Sequence, residues 1–86
     1  MADRYGVKIK VISQKGNCAA GHKVGDEFTI HRHTPAGFCM FAYSAIDPDL
    51  RTLMFGGRYP WSQDTEVYIG CCPDPKNPVV FELRRR

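Results

Sequence analysis

Apolar and polar residues alternate cleanly over residues 7 to 13, Val-Lys-Ile-Lys-Val-Ile-Ser. That period of two predicts a strand with Val7, Ile9 and Val11 toward a core and Lys8 and Lys10 toward water. Gln14-Lys15-Gly16-Asn17 then reads as a turn, as does Val24-Gly25-Asp26. A second strand is expected over residues 27 to 33, with Phe28 and Ile30 on one face and Thr29, His31 and His33 on the other, ended by Pro35.

The texture changes between Ala36 and Phe55. Phe38, Met40, Phe41, Ala42, Ala45 and Ile46 recur at spacings of three and four, which predicts a short helix with a broad apolar face. Asp47-Pro48-Asp49 has the residues of a helix start, so a second short helix is expected there, with Leu50, Leu53 and Met54 inward and Gly56-Gly57 closing it. Residues 58 to 64 form an aromatic loop. Residues 66 to 71 predict a third strand, with Val67, Ile69 and Cys71 inward and Tyr68, Gly70 and Cys72 on the other face. Pro73-Asp74-Pro75-Lys76-Asn77-Pro78 is a proline-pinned turn, and Val79-Val80-Phe81-Glu82-Leu83 a last strand with its odd positions inward. The order β-β-α-α-β-β defines an α+β class: two short helices on one face of a small, mostly antiparallel sheet.

Composition narrows this picture. Eighty-six residues make one domain, 1–86, and a core this small often needs a staple such as a metal or an oligomer interface. The net charge of +3 equals the Arg84-Arg85-Arg86 tail, read as a solvated terminus. Without that tail the chain is near neutral, so no nucleic-acid surface is expected. No apolar run reaches the ~20 residues of a membrane span, and the amino terminus has no hydrophobic signal core. A cytoplasmic protein is expected, with its four cysteines reduced.

Those thiols carry the sharpest chemistry in the chain. Cys18 and His22 stand four positions apart on a glycine-containing loop, Cys39 opens the first helix, and Cys71-Cys72 closes the third strand. Cys and His converging from such places suit a tetrahedral metal. Adjacent strand residues point to opposite faces, so Val67 and Ile69 assign Cys71 to the core and leave Cys72 as the ligand. The expected metal set is Cys18, His22, Cys39 and Cys72, holding zinc or an iron–sulfur cluster. Two other readings stay open. The thiols are inert core residues of a protein-interaction module, or one is a redox or catalytic thiol in a small subunit.

Gly21-His22-Lys23-Val24-Gly25-Asp26-Glu27-Phe28, Cys39, Phe55-Gly56-Gly57, Trp61, Cys72-Pro73-Asp74 and Val79-Val80-Phe81-Glu82 together resemble an uncharacterised family of small prokaryotic single-domain proteins. The likeness covers nearly the whole chain. It implies no substrate. It does imply that Cys18, His22, Cys39 and Cys72 correspond to motif positions, with Cys71 a departure.

Lesser candidates are His31 and His33 as a His-x-His pair, and Asp26, which reads first as turn chemistry. Among the aromatic residues, the phenylalanines read as core. Tyr59 and Trp61, beside Arg58, are the expected surface for an oligomer or a larger protein partner. No phosphate-binding glycine loop, carboxylate pair or Ser-His-Asp logic is present, so no catalytic residue is assigned and no autonomous hydrolase or transferase activity is expected.

Overall fold

A computed structural model of the chain describes residues 5–18, 20–61 and 66–85. Residues 1–4, part of the expected aromatic loop (62–64) and the last arginine of the tail lie outside the described residues. The elements are β1 (Val7–Gln14), β2 (Glu27–Ile30), α1 (Met40–Met54), β3 (Val67–Cys71) and β4 (Val79–Arg85). The four strands form one antiparallel sheet in the order β2-β1-β4-β3. Two hairpins therefore sit side by side, with β1 and β4 in the middle. The connection from β2 to β3 is α1, which runs over one face and buries it.

Alternation explains why that face is apolar. Val7, Ile9 and Val11 of β1 and Val79, Phe81 and Leu83 of β4 are all essentially inaccessible. Ile12 is partly exposed on the outward face by the same alternation, and a bulge between Val11 and Ser13 then shifts the register so that Ser13 pairs with Val80. The opposite face carries charge, including a Lys8–Glu27 pair at 3.2 Å.

Two helices were expected where one is found. The α1 helix runs unbroken from Met40 to Met54, with Pro48 inside it. Its buried stripe, Ala42, Ile46, Leu50, Leu53 and Met54, continues straight past residue 48, and Pro48 lies on the exposed side. Packing of the stripe outweighs the proline. Asp47 is not a cap: both of its carboxylate oxygens accept from Arg51 Nε at 3.1 Å, one turn on. The expected inner positions Met40, Phe41 and Ala45 face solvent instead. At the other end the glycine stop is present as expected. Gly56 N–H donates to Leu53 O and Gly57 N–H to Thr52 O, a Schellman pair that needs the positive φ of Gly56 (87°).

An interior proline forfeits one helical hydrogen bond and crowds the carbonyl four residues back, at a cost of about 3 kcal/mol. Pro48→Ala restores the bond to Ser44 and is expected to raise Tm by about 12–24 °C if the whole cost is recovered. An unchanged or lowered Tm would show that the helix is already relaxed around the ring.

The third strand is turned over relative to expectation. Ile69 is half-exposed and Cys71 exposed, while Tyr68 and Cys72 pack against the core. Register enforces this, because Tyr68 pairs with buried Leu83 and Gly70 with buried Phe81. Gly70 lies directly under the helix, where a Cβ would stand 2.9 Å from Ile46 Cγ2. A glycine and a tyrosine thus hold the inward positions, and hydropathy alone does not reveal them.

The helix's carboxyl-terminal end meets the end of β4. Arg84 and Arg85 are strand residues, not a solvated tail. The Arg85 side chain, 5% exposed, donates from Nε to Leu53 O at 2.7 Å and from Nη2 to Gly57 O, and pairs through Nη1 with Glu66 at 3.0 Å.

Candidate functional site

Four chain segments meet at the sheet end formed by the close of β1 and β3 and the start of β2 and β4. The loop from Lys15 to Asp26 is shaped by local bonds. Gly21 N–H donates to Cys18 O at 2.9 Å, Asp26 N–H to Lys23 O at 3.0 Å, and the Asp26 carboxylate accepts Lys23 N–H at 2.9 Å. Asp26 thus closes a turn, as its place after Gly25 predicts.

This loop delivers His22 into the fold, where it is 4% exposed. Its ring stacks on Phe38 (5.4 Å between centroids) and meets Phe28 and Phe81 edge-on at 5.3 and 6.2 Å. Nε2 accepts the Cys39 backbone N–H at 3.1 Å, which in the neutral ring leaves the proton on Nδ1. His22 therefore fastens the residue that opens α1. Cys39 has extended backbone (φ −64°, ψ 130°) and makes no side-chain cap bond. Its thiol is left to the pocket.

Cys72 is placed by the turn between β3 and β4. Its backbone N–H donates to Val79 O at 3.0 Å, and its sulfur accepts Val79 N–H at 3.2 Å. Asp74 organises that turn by accepting from Lys76 N–H, Asn77 N–H and the Asn77 side-chain amide at 3.1 to 3.3 Å. The Asn77 side chain, ahead of the Lys76 amide, holds the Asp74 carboxyl below its ordinary pKa. Asn77 Oδ1 in turn accepts Asn17 N–H at 2.8 Å, tying this turn to the loop that carries Cys18. Sequence reasoning missed Asp74 and Asn77 as organisers of the site. The Asp and Asn between prolines in Pro73-Asp74-Pro75-Lys76-Asn77-Pro78 were the available signal.

Cys18, His22, Cys39 and Cys72 all line one pocket of about 110 Å³, whose walls include Phe41, Ala42, Val79 and Phe81. All four cysteines are free thiols. Among the described residues, no three His, Cys, Asp or Glu side chains are grouped as they would be around a bound ion. Cys71 is on the other face of the sheet, away from the core expected for it. Partial burial, with Cys72 beside it, raises its thiol pKa.

The expected partner surface is divided. Tyr59 belongs to the core at 5% exposure, its hydroxyl donating to Asp49 at 2.9 Å, and burial followed by that bond pushes its pKa up to about 12. Trp61 is 78% exposed and Arg58 exposed, so these two remain at the surface. Phe41 and Phe55, expected in the core, are also exposed. His31 and His33 lie beyond the end of β2 in an exposed bend, so they are not a pair on a strand face. No helix among the described residues is long and apolar enough to cross a membrane.

No protein-family model matches the chain, and no curated protein and no solved structure matches it either.

Proposed function

We propose that this is a small thiol-based metal-binding protein of a reducing, cytoplasmic setting, with a structural or accessory role. Its centre is the pocket of Cys18, Cys39 and Cys72, with His22 beside them, taking zinc or an iron–sulfur cluster. The observation that carries this is the convergence of three thiols, from three segments far apart in sequence, on one pocket. The Val79 N–H aimed at the Cys72 sulfur supports it, since that contact holds the sulfur in place at the pocket wall. Binding closes the set. The thiols turn toward the ion, and His22 either stays as the support of Cys39 or becomes a fourth ligand through Nδ1, its ring proton then moving to Nε2 and the bond from the Cys39 amide breaking.

The test is anaerobic reconstitution with zinc or with iron and sulfide, followed by metal analysis, visible spectra and thiol counting. One zinc ion or one cluster per chain should protect Cys18, Cys39 and Cys72 and leave Cys71 reactive. Cys18→Ser, Cys39→Ser and Cys72→Ser should each abolish binding, while Cys71→Ser leaves it intact. Protein that binds neither, and melts at one temperature with or without chelator, would sink the proposal.

A second reading is favoured by His22, whose Nε2 already has a partner in the Cys39 amide. In it the thiols are packing groups of an interaction module, with Met40, Phe41 and Trp61 as contact residues at 74, 66 and 78% exposure. It predicts modest, independent stability losses for the same serine variants, and no metal dependence.

A further inference from the structure

A second cavity, of about 130 Å³, lies between the end of β2 and the flank of α1. Leu50, Met54 and Phe55 give it an apolar side, and Arg32, Tyr43 and Arg51 a polar one. Asp47, the carboxylate in its lining, is already engaged. Both its oxygens accept Arg51 Nε at 3.1 Å. That i,i+4 pair orients the Arg51 guanidinium, on a side chain 67% exposed, and leaves its two Nη nitrogens without a bond among the described residues. Arg32 likewise has no partner among them. The fixed charges lining the cavity, Arg32, Arg51 and Asp47, sum to +1. A planar guanidinium with its outer nitrogens free matches a carboxylate's two oxygens.

From these features we infer that this cavity binds a small carboxylate with a compact apolar body. The carboxylate bridges Arg51 Nη and Arg32, the body rests on Leu50, Met54 and Phe55, and the Tyr43 hydroxyl borders the charged end. A cavity this size takes a fragment about as large as benzoate, well below the ~300 Å³ of drug-sized pockets. The site is independent of the thiol pocket, which lies at the opposite end of α1.

Titration of the ¹⁵N-labelled protein with benzoate, followed by NMR, tests this. Saturable shifts are expected in the amides of residues 30–32 and 43–55. Arg51→Gln and Arg32→Gln should each weaken binding about tenfold, the scale of one charge-assisted hydrogen bond. Both arginines are exposed, and Arg32→Gln leaves the Asp47–Arg51 pair in place, so at least one variant reports on binding with the fold intact. Benzylammonium, with the same ring and opposite charge, should bind at least tenfold more weakly. Three outcomes would each overturn the assignment: no saturation with benzoate, equal binding of benzylammonium, or equal binding of inorganic phosphate.

Discussion

Phe81→Ala is expected to lower the unfolding free energy by about 3–5 kcal/mol, the range for deleting a fully buried phenylalanine. Phe81 has no accessible surface and lies on a central strand. Its neighbours in register are Val11 on β1 and Gly70 on β3. Gly70 has no side chain to move into the space, and Val11 is fixed in a fully buried row. Above the ring stand Phe38 at 5.4 Å and His22 at 6.2 Å, each already packed against the other. The vacated volume therefore stays open, which places the loss toward the upper end. Domains of this kind hold only about 5–15 kcal/mol in total, so a large share of the stability would go. Denaturant titration should show a reduced midpoint with little change in slope. Phe81→Leu should recover most of the loss, since it keeps much of the buried volume. A loss below about 1.5 kcal/mol for the alanine variant would mean that the pocket end is loosely packed.

The same residue also tests whether core and pocket are coupled. Phe81 forms part of the wall of the thiol pocket as well as the core. His22 leans on its edge and holds the Cys39 amide, so a looser ring cluster loosens the segment that carries that thiol. In the truncated protein, chemical modification of Cys39 should therefore accelerate more than modification of exposed Cys71.

Much of the fold was legible because β1 and β4 are amphipathic by strict alternation. Val7, Ile9, Val11, Val79, Phe81 and Leu83 all lie where the period of two puts them. The helix stop was legible from Gly56-Gly57, whose backbone freedom has few other uses after a run of Leu and Met. Two errors have a shared physical origin. At Pro48 a local rule predicted a break, but a tertiary stripe from Ala42 to Met54 holds the helix together at the cost of one hydrogen bond. On β3 a local rule ranked Val67 and Ile69 as inward, but the register with β4 and the closeness of the helix select Gly70 and Tyr68. In each case packing against a distant segment outweighed the local pattern.

The site was legible in its residue types. That Cys18, His22, Cys39 and Cys72 share one pocket follows from where their loops end, and those ends were predicted correctly even where the strand faces were not. Cys72 lines the pocket on grounds other than those that singled it out. It was chosen because Cys71 was expected in the core, yet it reaches the pocket because the inward face of β3 continues through it. The role of His22 was not legible. An imidazole's partner depends on which backbone amide comes within reach, here that of Cys39, 17 residues away. Nothing in the spacing separates a ligand from a support.

Arg85→Ala is expected to cost about 3 kcal/mol, while Arg84→Ala one residue earlier costs under ~0.5 kcal/mol. The alternation that turns Val79, Phe81 and Leu83 inward turns Arg85 inward next, so a guanidinium meets the end of α1 instead of water. The last carbonyls of a helix lack partners within it and carry partial negative charge. Arg85 satisfies Leu53 O and Gly57 O together, pairs with Glu66, and lies 5.0 Å from the Tyr5 ring centre. Truncation would leave Gly57 O without this donor and Leu53 O with the Gly56 N–H alone, and would remove a side chain that joins α1, β4, the start of β3 and the amino-terminal segment. Arg85→Lys should recover less than half, because an ammonium on a flexible stem does not reproduce the fork that reaches three groups at once. Arg84 differs in surroundings alone. It is exposed, and its contact with Glu82 at 3.4 Å is a surface pair. Thermal melts of the two alanine variants should therefore separate by roughly 10–20 °C. Coincident melts would show that the helix end is held by its Schellman bonds alone.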